Sequence, residues 1–202
     1  MKSNPEELLI IFARNPEKGK VKTRLAKDIG EKAALEIYKF LLNHTYSITK
    51  DLTVDKVIFY ADAFPKRDIF APEIFSKKLQ KGNGLGEKME NAFRDAFSEN
   101  YKRVILIGTD LPDLTKADLE DAFLQLKKSD VVIGPAKDGG YYLIGMKSLN
   151  SKVFKNKAWS TASVLKSTLE DFKKVDLKLL STLNDVDVLS DIDDNSELRK
   201  FI

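Results

Sequence analysis

Residues 130–146 read DVVIGPAKDGGYYLIGM. Two apolar runs, DVVIGPA (130–136) and YYLIGM (141–146), are separated by a few residues, and the Asp138-Gly139-Gly140 between them is a strong turn signal. A parallel connection needs a crossover of a dozen residues or more, so these two runs must pair antiparallel. Upstream the spacing is different. ELLIIFA (7–13), KVIFYA (56–61) and RVILIGT (103–109) are short blocks rich in Val, Ile or aromatic residues, as in strands covered on both faces. Between the runs lie GEKAALEIYKFLLNHTYSITK (30–50), LGEKMENAFRDAFSE (85–99) and TKADLEDAFLQLKKS (115–129). Met89, Phe93 and Phe97 in the second, and Leu119, Phe123 and Leu126 in the third, fall at helical spacing. Thr115 followed by Asp118 marks a helix start of the capping-box kind. Strand and helix alternating in this way predict an α/β fold: a mixed, mostly parallel sheet with helices on both faces. Beyond residue 147 a helix near 161–172, a short strand near 176–180 and a closing helix near 190–201 are expected. With no internal repeat or linker, residues 1–202 read as a single domain.

At 202 residues, 43% hydrophobic and 32% charged, the chain can bury one good core. Its net charge of +3 supplies no global basic field, so nucleic acid is not an expected partner. The absence of cysteine excludes disulfides, thiol catalysis and cysteine-held metal, and fits a reducing compartment. No apolar run approaches a membrane span, and MKSNPEELLIIFAR lacks a signal-peptide layout. A cytoplasmic protein without a membrane partner is the expectation. His44, the only histidine, sits inside a helical pattern and reads as structural. With no second histidine, neither a zinc site nor a Ser-His-Asp triad is expected.

In open α/β sheets, ligands gather beyond the carboxyl ends of the parallel strands. After the first apolar run comes RNPEKGKVKTRLA (14–26). Gly19 lets the backbone bend close to a ligand, and Lys18, Lys20, Lys22 and Arg24 bring charge suited to polyphosphate. A solvated basic loop is the alternative. The stretch matches neither G-x-x-x-x-G-K-[ST] nor G-x-G-x-x-G. GTDLPDL (108–114) puts Asp110 at a strand's end, a position suited to Mg²⁺, with a simple turn cap as the alternative. Asp138 explains itself as a turn residue, yet its turn should share an edge of the sheet with Asp110. NDVDVLSDIDD (184–194) offers Asp185, Asp187, Asp191, Asp193 and Asp194. Asp187, between two valines, is the one expected on ordered backbone; most of the others read as solvated or at a helix start. LQKGNGLGEKM (79–89), with Gln80, Gly82 and Gly86, is a glycine-rich helix entry whose free N–H groups could meet a phosphate or a base edge. AWSTASVL (158–165) holds the only tryptophan, Trp159; Ser160 or Thr161 reads as a helix N-cap, and a wall of an acceptor pocket is the alternative.

FARNPEKGKVKTRLA, QKGNGLGEKMENAF, GTDLPDL, GPAKDGGYYLIGM, WST and DVDVLSDI cover nearly the whole chain in one order. In these motifs the chain resembles a family of bacterial and archaeal proteins known as a domain of unknown function and labelled glycosyltransferase-like. That family lies in the GT-A, or nucleotide-diphospho-sugar transferase, superfamily, with a Rossmann-like fold. More distantly the chain is similar to phospholactate and molybdenum-cofactor guanylyltransferases and to sugar-acid cytidylyltransferases. The resemblance implies that the loop after the first strand holds a nucleotide's phosphates through Lys18, Lys22 and Arg24. It also implies that Asp110 holds Mg²⁺ and that Asp187 supplies a second metal ligand. Two departures stand out: the relatives' L-A-G-G-x-S-x-R-M is replaced by FARNPEKGKVKTRL, and the D-x-D of many glycosyltransferases is missing.

Together these features lead to the expectation of a nucleotidyltransferase dependent on Mg²⁺ or Mn²⁺, which transfers a nucleotidyl group from a nucleoside triphosphate to a phosphorylated or carboxylated small molecule and releases pyrophosphate. Lys22, Arg24, Asp110 and Asp138 are the expected catalytic residues. Arg14, Lys18, Gly19, Lys22, Arg24, Gln80, Gly82 and Gly86 are expected at the nucleotide, and Gly139, Gly140, Trp159, Ser160 and Thr161 at the acceptor. A glycosyltransferase using a sugar nucleotide and a non-catalytic nucleotide-binding module are the alternatives. The oligomeric state stays open, with a homodimer among the options.

Overall fold

The computed structural model describes residues 6–202. Its strands are β1 (Glu7–Ala13), β2 (Asp55–Tyr60), β3 (Ser76–Leu79), β4 (Arg103–Ile107), β5 (Val131–Pro135), β6 (Tyr141–Met146) and β7 (Leu177–Leu179). The helices are α1 (Ala26–Thr49), α2 (Leu85–Ser98), α3 (Lys116–Lys128) and α4 (Val164–Asp171). All the strands join one sheet in the order β3-β2-β1-β4-β6-β5-β7. Every pairing is parallel except the two made by β6, which runs antiparallel to both β4 and β5. The turn into β6 forms as its sequence predicts: Gly139 takes φ 87° and the Asp138 carboxylate accepts the Gly140 N–H at 2.7 Å.

Because successive strand side chains alternate, the apolar runs feed two separate layers. Leu9 and Ile11 of β1 face α1 and α3, packing with Tyr38, Leu119 and Phe123. Leu8 and Ile10 face α2 and the α4 side, packing with Met89, Phe93 and Phe172. Full burial of one such side chain contributes about 1.5–3 kcal/mol, so both layers hold the sheet firmly. A third cluster straps the C-terminal segment to the outside of α1 through Leu25, Ile37, Leu41, Val186, Ile192 and Leu198. The Thr115–Asp118 capping box opens α3, and the His44 ring bonds the Leu114 carbonyl oxygen at 2.8 Å, a structural role as expected.

Four elements differ from the expectation. Strand β3, Ser-Lys-Lys-Leu, is an additional edge strand. Helix α1 begins at Ala26 and tolerates a non-helical Gly30 at φ 83°. Helix α4 starts at Val164, several residues beyond its expected start. The expected closing helix is instead two 3-10 turns, Leu189–Asp191 and Glu197–Phe201. In the first of these the Asp191 carboxylate turns back to accept the N–H groups of Asp187 and Val188, both at 2.8 Å. Among the described residues, no helix is long and apolar enough to cross a membrane.

Strands β1 and β4 are neighbours, and the connection leaving β1 runs to β2 on one side while the connection leaving β4 runs to β5 on the other. A crevice opens at such a switch point, beyond the carboxyl ends of the strands.

Candidate active site

A cleft of about 480 Å³ occupies this position. Phe12 and Arg14 line it from the end of β1, Gly108, Thr109 and Asp110 from the end of β4, and Leu85, Lys88 and Met89 from the start of α2. Strand β6, being antiparallel, presents its beginning at the same edge: Asp138, Gly140, Tyr141 and Tyr142 also face the cleft. Tyr38 of α1 reaches in beneath, exchanging hydrogen bonds with the Arg14 backbone: its hydroxyl accepts from the N–H at 2.8 Å and donates to the carbonyl at 3.1 Å. Burial pushes the Tyr38 phenol up to about 12, so it stays a neutral clamp on the exit of β1.

Four aspartates converge here: Asp110, Asp138, Asp185 and Asp187. The last two arrive on the C-terminal segment, which is tied to the sheet edge by backbone bonds. Leu183 N–H donates to the Pro135 carbonyl at 3.1 Å, Lys137 N–H to the Leu183 carbonyl at 3.0 Å, and Val186 N–H to the Asp110 carbonyl at 2.9 Å. Asp191 then fixes the backbone of Asp187 through its capping bonds. Asp185 is the residue that sequence reasoning passed over. Burial, then the nearby Asp138 and Asp110 carboxylates, push its acid up to about 6, with Lys22 pulling the other way. Its only signal in the sequence is its place two residues before Asp187.

The cations are arranged differently from the expectation. Lys18 lies outside the cleft, exposed and 3.8 Å from Glu31, and Lys20 pairs with Glu17 at 2.7 Å. Lys22 is buried behind the wall, with Nζ 2.5 Å from both Asp110 Oδ1 and the Val186 carbonyl oxygen. Arg24 does line the cleft, where Nη1 bonds Asp187 Oδ2 at 2.8 Å. So the four sequence cations are all paired. Among the described residues, Arg14 and Lys88 are the lining cations without an ion pair, and Lys88 was not singled out by its sequence context.

Glycines and acceptor-side residues divide similarly. Gly19, Gly82, Gly86 and Gly139 do not line the cleft. Gly86 is glycine for packing: a Cβ there would stand 2.3 Å from the Phe154 carbonyl oxygen and 2.8 Å from the Trp159 indole. Gly139 lies against the backbone of Ala162 in the same way. Gln80 lines the cleft while its amide nitrogen donates to the Phe59 carbonyl at 3.0 Å. Trp159, Ser160 and Thr161 all line the cleft. Neither Ser160 nor Thr161 caps a helix: α4 follows Ser163, and the Thr161 hydroxyl donates to the Ala158 carbonyl at 2.7 Å. The alternative, a pocket wall, is where they stand.

The aspartates supply an oxygen-only donor set, the chemistry of a hard divalent cation. Their mutual repulsion, felt at Asp185, is what such a cation would relieve. Among the described residues no three acidic or histidine side chains form a ready-made cage. Mg²⁺ generally takes one or two carboxylates, the rest of its shell being substrate phosphates and water.

Residues 44–161, more than half of the chain, match a family model described as "Uncharacterized protein conserved in bacteria (DUF2064)". Over 153 residues the chain is 30% identical to a 2-phospho-L-lactate guanylyltransferase from Methanocaldococcus vulcanius, a match covering 72% of this chain and 64% of that relative. The chain thus spans less than two thirds of the length of this curated relative. A crystal structure from Desulfovibrio desulfuricans G20, provisionally named a nucleotide-diphospho-sugar transferase, is 32% identical. It superposes with a TM-score of 0.83, covering 97% of this chain and 91% of that one. A cytidylyltransferase from Leptospira borgpetersenii shares the fold at 18% identity and a TM-score of 0.54, covering 88% and 76%. The sheet order, the cleft at its switch point and these likenesses agree: the fold is that of the nucleotide-diphospho-sugar transferases, and the chain belongs to the DUF2064 family.

Proposed function

We propose that this protein is an enzyme that transfers a nucleotidyl group from a nucleoside triphosphate to a small phosphorylated or carboxylated acceptor. The observation that carries this reading is the convergence of four aspartates with Arg14 and Arg24 in one cleft at the β1–β4 switch point. In the reaction an acceptor oxygen attacks the α-phosphorus and a new P–O bond forms. The bond from that phosphorus to the α–β bridging oxygen breaks, and pyrophosphate departs with the electron pair. Such chemistry asks mainly for positioning and charge neutralisation.

Arg14 and Arg24 meet the triphosphate and the departing pyrophosphate, Arg24 by exchanging its Asp187 partner for phosphate oxygens. Lys22 acts through Asp110, holding that carboxylate in place. Asp110 and Asp187, with Asp185 beside them, are the residues that would hold Mg²⁺ or Mn²⁺. Bound there, the ion would offset charge on the phosphates. Asp138 orients the acceptor, whose wall is formed by Gly140, Trp159, Ser160 and Thr161. The curated relative's name supports this reading and makes GTP the first nucleotide and 2-phospho-L-lactate the first acceptor to try. We place the enzyme in the cytoplasm, with small-molecule partners only.

A second reading, glycosyl transfer from a sugar nucleotide, is favoured by the name of the Desulfovibrio protein. The same cleft would then hold a diphosphate. A thermal-shift series of the four nucleoside triphosphates against common sugar nucleotides, each with Mg²⁺, Mn²⁺ or chelator, separates the two. A ligand at a hundred times its Kd adds about 2.7 kcal/mol, a readable shift. Metal-dependent stabilisation by GTP, followed by pyrophosphate release with an acceptor, is the expected outcome. Stabilisation by a sugar nucleotide alone would replace nucleotidyl transfer with glycosyl transfer.

A further inference from the structure

Part of the cleft wall carries neither aspartate nor arginine. Leu85 and Met89, one helical turn apart at the start of α2, line the cleft together with Tyr141 and Trp159. These residues are neighbours: the Tyr141 and Trp159 rings stand edge to face with centroids 6.5 Å apart, and the Trp159 indole lies against Gly86. Leu85 is 44% exposed, so apolar surface is left open to the cleft. Between Leu85 and Met89 in sequence comes Lys88, which also lines the cleft. Among the described residues its side chain makes neither an ion pair nor a hydrogen bond. It also stands in the first turn of α2, where the helix end is already positive and the N-cap residue, Gly84, has no side chain to offer. Glu87 shares that turn but gives its carboxylate to the Asn83 N–H at 2.9 Å, so an anion entering the cleft beside Lys88 would meet the ammonium and the positive helix end.

Resting on the nucleotidyl-transfer reading, we propose that this patch is the acceptor's subsite and selects small organic acids. The acceptor's apolar body packs on Leu85, Tyr141 and Trp159, with Met89 buried beneath them, and its phosphate or carboxylate pairs with Lys88. Neutral alcohols gain the apolar contact without the ion pair. Inorganic phosphate gains the ion pair without the apolar contact. Lys88 is therefore a specificity residue for the acceptor, separate from the arginines assigned to the triphosphate.

Trp159 is the only tryptophan, so its emission reports this subsite directly. The full chain would be titrated with phenyl phosphate, phenylacetate, benzyl alcohol and inorganic phosphate, and separately with GTP and Mg²⁺ by calorimetry. At least one of the two aromatic acids is expected to shift Trp159 emission at concentrations tenfold or more below those needed for benzyl alcohol or inorganic phosphate. The acid that does so identifies the head group. Lys88→Met, which keeps the aliphatic stem on a half-buried helical site, should weaken that acid tenfold or more while leaving benzyl alcohol and GTP affinity within twofold. No response of Trp159 to either acid, or an unchanged acid affinity in Lys88→Met, overturns the subsite. Silence from GTP with a normal acid response would remove nucleotidyl transfer while the anion subsite stands. GTP binding with silent acids would do the reverse.

Discussion

Lys22 and Asp110 form an ion pair across the cleft wall, with Nζ 2.5 Å from Oδ1, the lysine side chain 4% exposed and the aspartate 44%. The same ammonium donates to the Val186 carbonyl at 2.5 Å. Lys22 reaches this position from a left-handed φ of 48°, a conformation that costs a non-glycine residue about 1–2 kcal/mol. One side chain thereby joins the loop after β1, the exit of β4 and the C-terminal segment that carries Asp185 and Asp187. A lysine so enclosed is a strut, and the sequence could show only its charge.

Removing that strut should be costly. Lys22→Met leaves the Asp110 carboxylate and the Val186 carbonyl without their partner. Breaking a fully buried pair costs about 3–5 kcal/mol, and with the aspartate half in solvent about 2 kcal/mol is expected. Urea unfolding measures it. Adding Asp110→Asn in the same background should recover at least half of the loss, because the stranded charge is then gone. Strictly additive losses would show that the two side chains do not interact.

Asp110 also bears on turnover. If the protein performs nucleotidyl transfer, Asp110→Ala lowers kcat about a hundredfold or more, the scale seen when one stabilising group is lost from a transition state. Nucleotide affinity should fall far less, since Arg14 and Arg24 remain. Pyrophosphate release and calorimetry on the same preparation check both halves. Undiminished turnover would take Asp110 out of the chemistry and leave it as the partner of Lys22.

The strands β1, β2, β4, β5 and β6 were legible because each is a compact apolar block, and the β5–β6 turn because Asp-Gly-Gly readily takes the positive φ that a tight turn needs. Strand β3 was not. As an edge strand its four residues are exposed or half-buried, so no apolar pattern marks it. The cleft's Asp110 and Asp138 could be found from the residues at the strand ends, a matter of topology alone. What the cations do could not be found that way, since Arg24 meets its partner 163 positions along the chain. Charge density in residues 18–24 suggested free phosphate ligands, whereas folding spends those charges on Glu31, Glu17, Asp110 and Asp187. Gly86 misled in a similar way, because a glycine that makes room for Trp159 and one that admits a phosphate look alike in sequence.

Asp185 is expected to make the stability of the ligand-free protein depend on pH. Its acid is raised to about 6 in the folded chain, from an ordinary value of 3.8. The folded state therefore holds a proton that the unfolded chain releases between those values. Its contribution to stability is complete below pH 3.8 and is lost as the pH rises through 6. Asp185→Asn lacks that loss, so its Tm should coincide with the parent's near pH 4 and exceed it progressively up to about pH 7. Melting curves at half-unit intervals trace the divergence. Parallel curves across that range would show that Asp185 titrates normally.

Gly86→Ala sets two effects of α2 against each other. Alanine favours a helix interior over glycine by about 1 kcal/mol, and Gly86, the second residue of α2, gains at most that. The new methyl, however, would stand 2.3 Å from the Phe154 carbonyl oxygen and 2.8 Å from the Trp159 ring. Phe154 cannot give way easily: its ring stacks on Phe93 at 5.7 Å and it closes the 3-10 turn of residues 151–154. Trp159 is half-buried on a loop between Asn156 and Ser160, both at positive φ, so the indole can turn aside, but the Phe154 carbonyl is relieved only if α2 and the 3-10 turn move apart. Overpacking of this kind costs about 1–3 kcal/mol, which exceeds the helical gain. The expected result is a net loss of about 1 kcal/mol in urea unfolding, with Trp159 emission shifted to longer wavelength as the ring moves into solvent. If stability rose and the emission stayed put, α2 and the Trp159 loop would not be in tight contact, and the wall shared by Leu85, Met89 and Trp159 would lose its rigidity.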